Sequence, residues 1–187
     1  MKDKLWGILV HLSMDMWVGK QNTQPLATVF DEAMWNDIID ETAASGMNAI
    51  ILDIGNGVRF DSHPEIAKED AYSSAWVKAE VKRCKEKGIT LIPKLNFSTT
   101  HDFWLGEYAR MISTSVYYKV VKDLIEEVYE MFERPAHIHI GMDEESYQYL
   151  KKHDFVVYRQ GDLYFKDLKY LCDCVNGLGA KPWIWSS

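Results

Sequence analysis

The stretch His137 to Tyr147, HIHIGMDEESY, sets two histidines and a glycine ahead of three consecutive acids. Side chains on a strand alternate between its faces, so Asp143 and Glu144 can meet one substrate only if the strand has ended and the chain turns between them. Gly141 permits such a turn. Two carboxyl groups placed this way suit cleavage of a glycosidic bond, in which one protonates the leaving oxygen and a second group stabilises or attacks the oxocarbenium-like carbon. Adjacency fits best a substrate-assisted version, where a 2-acetamido oxygen of the sugar attacks and the second carboxylate only orients that group. Two other uses stay open. Asp-Glu-Glu after a strand is also the ordinary acidic first turn of a helix. His137 and His139 share a strand face with Asp143 beyond them, which suits a metal-dependent barrel hydrolase, with His11 and His101 as further donors.

The elements that must position these residues can be read from periodicity. Apolar runs at Leu5–Leu12, Asn48–Ile54, Ile89–Phe97, Ala136–Met142 and Pro182–Ser186 read as strands. Between them lie four amphipathic stretches. Met34, Trp35, Ile38, Ile39 and Ala43 form one helical face that ends at Gly46, and Ser74 to Lys87 forms another that ends at Gly88. Val116 to Phe132 is the third, with Pro135 beyond it, and the fourth starts near Asp162 and runs to Gly177 and Gly179.

Strict alternation of strand and helix implies a parallel sheet covered by helices. Two architectures fit. One is a five-stranded doubly wound open sheet. The other is a (β/α)-barrel, which typically needs about 250 residues, so that residues 1–187 would be a single domain forming the N-terminal part of a larger TIM barrel, its first five strands and four helices. Residue type favours the barrel. Lys94 and Asn96 share a face of the third strand, and His137, His139, Gly141 and Asp143 share one of the fourth. A doubly wound sheet buries both faces under apolar helices, whereas a barrel can line its axis with such a polar row. The long irregular stretches, 13–28, 55–73, 98–114 and 145–160, all follow strands, where a barrel builds its site.

Composition excludes other classes. With 21 Lys and Arg against 28 Asp and Glu, the formal net charge of −7 repels phosphate backbones and anionic lipid, so nucleic acid and membrane are not expected partners. No apolar run approaches the roughly 20 residues of a membrane span. The short apolar opening reads as a strand rather than a signal, and the three cysteines read as reduced thiols, which together suggest the cytoplasm or export with a leader outside this sequence. Gly55-Asn56-Gly57 reads as a turn, not a dinucleotide loop. Among the seven tryptophans, Trp17, Trp104 and Trp185 follow or end strands and could stack on the apolar face of a sugar ring.

His139-Ile140-Gly141-Met142-Asp143-Glu144 resembles the His-x-Gly-Gly-Asp-Glu motif of the family 20 glycoside hydrolases, the β-N-acetylhexosaminidases, in which this pair ends the fourth strand of a (β/α)₈ barrel. Weaker likenesses lie at Asn48, Arg59 and Pro64-Glu65-Ile66, and at Ile92-Pro93 leading to His101. Met142 stands at the second glycine, Lys94 and Asn96 stand at the third-strand acids, and the arginine expected after the first strand has no counterpart. The resemblance implies retaining hydrolysis of a terminal β-linked N-acetylhexosamine without a cofactor or metal, Glu144 being the general acid/base and Asp143 orienting the acetamido group. His139, His101, Asn96, Lys94, Trp185, Trp104 and Trp17 are the expected sugar contacts. A carbohydrate-binding module derived from such an enzyme is the alternative. An incomplete barrel would also leave an unpaired edge open to self-association.

Overall fold

A computed structural model describes residues 4–13, 30–145 and 157–185. Its sheet contains β1 (Gly7–His11), β2 (Ala49–Asp53), β3 (Thr90–Lys94), β4 (His137–His139) and β5 (Lys181–Trp183), all parallel and in the spatial order β1-β2-β3-β4-β5. Each strand is laid beside its predecessor. A doubly wound sheet must reverse direction at a switch point, so this order excludes the open-sheet alternative. Right-handed crossovers wound always the same way put every helix on one face, as in a (β/α)-barrel.

The helices fall where period and punctuation place them: α1 (Glu32–Ala44), α2 (Ser74–Glu86), α3 (Ser115–Met131) and α4 (Asp162–Gly177). Asp31 caps α1 by accepting from the backbone N–H groups of Ala33 and Met34 at 2.8 and 3.1 Å, and Ser73 and Thr114 cap α2 and α3 by accepting from Trp76 and Tyr117. Such a cap contributes about 1 kcal/mol. Gly46 ends α1 in the left-handed conformation at φ +77°.

Outward residues of the strands, among them Leu52, Ile54, Leu95, Ile138 and Ile140, are fully buried beneath the helices. The central helix α3 contributes Tyr117, Val120, Val121, Leu124, Ile125, Val128 and Met131 to this core. At roughly 1.5–3 kcal/mol for each large apolar side chain buried, α3 is the strongest single anchor of the layer. The loop from β2 to α2 is tied to it as well. Glu127 of α3 accepts from the backbone N–H groups of Asp61 and Ser62 at 2.6 and 3.0 Å, and His63 bridges Glu65 and Asp123.

The three cysteines are unpaired, and burial pushes the Cys84 thiol up to about 12, so it stays protonated and unreactive. Among the described residues no helix is long and apolar enough to cross a membrane.

Candidate active site

Strand register stacks the inward side chains in layers. His11, Asp53, Lys94, His139 and Trp183 pair in sequence across all five strands and form one row. Lys94 donates to Asp53, both almost fully buried, and His11 Nδ1 lies 3.3 Å from the same carboxylate oxygen. A buried charge is tolerated when it is paired in this way. Lys94 therefore neutralises Asp53 beneath the mouth of the sheet and is not itself displayed there. His139 is in the same row, and its Nδ1 accepts from the Gly141 backbone N–H at 3.0 Å. Burial, reinforced by the Lys94 charge, lowers its pKa to about 4. The ring is neutral at pH 7, with its proton on Nε2. Trp185 covers it, ring centroids 4.4 Å apart.

The next layer holds the acids. β4 ends at His139, after which Gly141, Met142 and Glu144 all take positive φ, at +72°, +66° and +54°. This winding turns the chain between Asp143 and Glu144, as convergence requires. A Cβ on Gly141 would stand 2.0 Å from Asn96 Oδ1 and 2.8 Å from Asn96 Cα, so glycine is demanded by space as well as by φ. The close approach has a purpose. Asn96 Nδ2 donates to Asp143 Oδ1 at 3.0 Å, while the Asp143 carbonyl accepts from Ser98 Oγ and from Thr100 Oγ1. The loop after β3 thus grips both ends of Asp143.

His101, from that loop, stands beside both acids. Its Nδ1 is 3.9 Å from Asp143 Oδ1 and its Nε2 is 3.7 Å from Glu144 Oε2, with Thr100 Oγ1 3.0 Å from Nδ1. Burial lowers the His101 pKa, outweighing the pull of the two carboxylates. Glu144 is 44% exposed and faces solvent, whereas Asp143 is 19% exposed. One acid is therefore accessible and the other held.

The third acid points elsewhere. Glu145 accepts from the backbone N–H of Arg159 at 2.7 Å and from its Nη1 at 2.9 Å. The wholly buried Arg159 guanidinium also donates to Asp167 on α4 at 2.6 Å, to the Phe97 carbonyl at 3.1 Å and to the Tyr117 hydroxyl on α3 at 2.7 Å. Arg159 locks the chain just after Glu144 to the loop after β3, to α3 and to α4. Sequence reading passed over it, because a lone arginine in a stretch read as loop carries no periodic or motif signal. The residues just after Glu145, on which a helix start at the acidic run would have to rest, lie outside the described residues.

Of the expected contacts, Asn96, His101, Asp143 and Glu144 come together, with Trp185 stacked over His139. Trp104 is buried, donating from Nε1 to the Asn96 carbonyl at 2.8 Å, and it supports Asn96 from below. Trp17 lies outside the described residues. His137 sits at the other end of β4 against Trp183, ring centroids 4.7 Å apart. Among the described residues, the metal-capable group is His101, Asp143 and Glu144, and it includes neither histidine of the His-x-His pair.

No protein-family model and no curated protein matches the chain. Solved structures do. A Flavobacterium johnsoniae chitobiase superposes with a TM-score of 0.73 at 18% identity, over 98% of this chain and 32% of its own. The chain shares its fold with the family 20 glycoside hydrolases. A mutant Streptomyces plicatus β-hexosaminidase in complex with its product GlcNAc gives a TM-score of 0.71 at 15% identity, over 96% of this chain and 38% of its own. A Vibrio harveyi family 20 exo-β-N-acetylglucosaminidase in complex with N-acetylglucosamine gives 0.71 at 12% identity, over 99% and 36%. The chain spans less than half the length of these family 20 structures.

Proposed function

We propose that this chain carries the acid pair of a glycosidase acting on terminal β-linked N-acetylhexosamine by substrate-assisted, retaining hydrolysis. The observation that supports it is the division of labour at the end of β4: Asp143 is held by Asn96, while Glu144 is exposed beside His101. A fixed carboxylate suits the orienting of an acetamido group whose oxygen attacks C1. An accessible carboxyl suits protonation of the leaving oxygen, and then activation of the water that opens the cyclised intermediate. The mixed row beneath keeps the site's floor electrically balanced. Family 20 structures of the same fold that hold N-acetylglucosamine support the same sugar class.

The test begins with a thermal shift using an N-acetylglucosamine thiazoline, a mimic of the cyclised intermediate, with glucose as control. At a hundredfold excess over Kd the ligand adds about 2.7 kcal/mol, or a Tm rise of roughly 5–10 °C for a chain of this size. Asp143→Ala should abolish the shift. Hydrolysis of an aryl N-acetyl-β-glucosaminide should then be lost in Glu144→Gln, by about 10²-fold or more, with the thiazoline shift retained. No shift in the unaltered chain would overturn the reading, and a shift without turnover would make the chain a carbohydrate-binding module.

A further inference from the structure

We propose that His101, Asp143 and Glu144 form a binding site for a first-row divalent cation of the zinc type, and that an ion held there blocks the glycosidase chemistry by occupying both carboxylates. One imidazole nitrogen and one oxygen from each acid lie within 4.8 Å of one another. Ligands about 2.1 Å from a tetrahedral ion stand about 3.4 Å apart, so closure needs a movement of up to about 1.4 Å. Glu144, at 44% exposed, is the donor on the solvent side from which the site would close. The other two donors are already placed: Asn96 holds Asp143, and Thr100 lies against the buried His101 ring. One nitrogen with two oxygens is a donor set that zinc accepts, and the open side at Glu144 leaves a fourth position for water.

The local charge does not oppose a cation. Lys94, the nearest ammonium in the row below, is bound to Asp53. The other histidine set between two acids does not make an equivalent site. His63 likewise meets one acid through each ring nitrogen, Glu65 at 3.0 Å and Asp123 at 3.2 Å, but among the described residues only the His101 group brings one donor atom from each of three side chains within 4.8 Å.

The ion site stands independently of any sugar chemistry, and only its blocking effect rests on the function proposed above. The chain, freed of metal with a chelator and dialysed, would be titrated with zinc chloride by calorimetry, with Co(II) absorption as a geometric probe. One equivalent should bind at micromolar concentration. Glu144→Gln, which alters a half-exposed side chain and leaves the fold intact, and His101→Asn should each weaken binding at least tenfold, while His63→Gln leaves it unchanged. Absence of binding, or binding indifferent to Glu144→Gln and His101→Asn, would overturn the site. Zinc that binds as expected but fails to displace the thiazoline would overturn the blocking effect alone.

Discussion

Gly141 is where residue type and geometry are tied most tightly. Alanine there would combine a left-handed backbone with a Cβ 2.8 Å from backbone Asn96, so Gly141→Ala should cost about 3 kcal/mol or more and release Asp143 from Asn96. Gly46 provides the control. It has φ +77° with nothing within 4 Å of the place a Cβ would take, and Gly46→Ala should cost only about 1 kcal/mol. Paired denaturant midpoints check this, and equal losses would show that backbone strain alone matters. His139 makes a second prediction, about pH. Its folded pKa of about 4 lies below the unfolded 6.5, so its contribution to stability is complete above pH 6.5 and drains away as pH falls toward 4. The loss amounts to about 3 kcal/mol at 1.36 kcal/mol per unit. Burial drives it, helped by Lys94, while Asp53 and Asp143 oppose it. The buried Asp102 carboxyl, held well above the usual carboxylate range by burial, contributes with the opposite sign. Urea unfolding of His139→Gln between pH 4 and 7 should accordingly show a flatter acid limb than the unaltered chain.

At the level of elements, the predicted strands and helices lie where periodicity put them, because apolar spacing, caps and terminal glycines are local signals. The strand β4 was legible for the same reason, and so was the need for a turn between Asp143 and Glu144. Three things were not legible. Strand order is not written in any single element, so the open sheet survived until register was seen. Lys94 and Trp104 carry residue types suited to sugars, yet their roles as counter-ion and support depend on Asp53 and Asn96, which are distant in sequence. Arg159 was hidden most completely, since its partners come from α3, α4 and the loops after β3 and β4. Its importance is testable. Arg159→Met leaves Glu145 and Asp167 buried without their cation and should cost about 3–5 kcal/mol. Adding Glu145→Gln should recover part of the loss, giving a non-additive double-mutant cycle. Simple addition of the two penalties would mean that Arg159 does not couple the acid loop to α4.

The whole molecule sets a different problem, because the inner face of the sheet is layered but unevenly covered. Below the His11-to-Trp183 row lies a second row, apolar at Leu9, Ile51 and Ile92 and continued by His137 and Lys181 on β4 and β5. Ile92 at its centre is fully buried, whereas Leu9 on β1 is 37% exposed. Among the described residues, β1 and β5 each pair on one side only, and Trp6, Leu9, Ile184 and Trp185 near these two edges are exposed. Unpaired backbone beside exposed apolar side chains is the usual route to strand pairing between molecules. The net charge of −7 opposes association only at long range and is screened within about 8 Å at physiological salt. The 187-residue chain on its own should therefore self-associate increasingly with concentration and with added salt. Sedimentation velocity over a hundredfold range of concentration would detect it. Leu9→Lys places a charge on the inner face at the β1 edge, replaces a half-covered side chain, and should shift the population toward monomer at little cost to stability. If the unaltered chain stays monomeric throughout, its inner face is covered from within, and the site at the end of β4 must be approached through that cover.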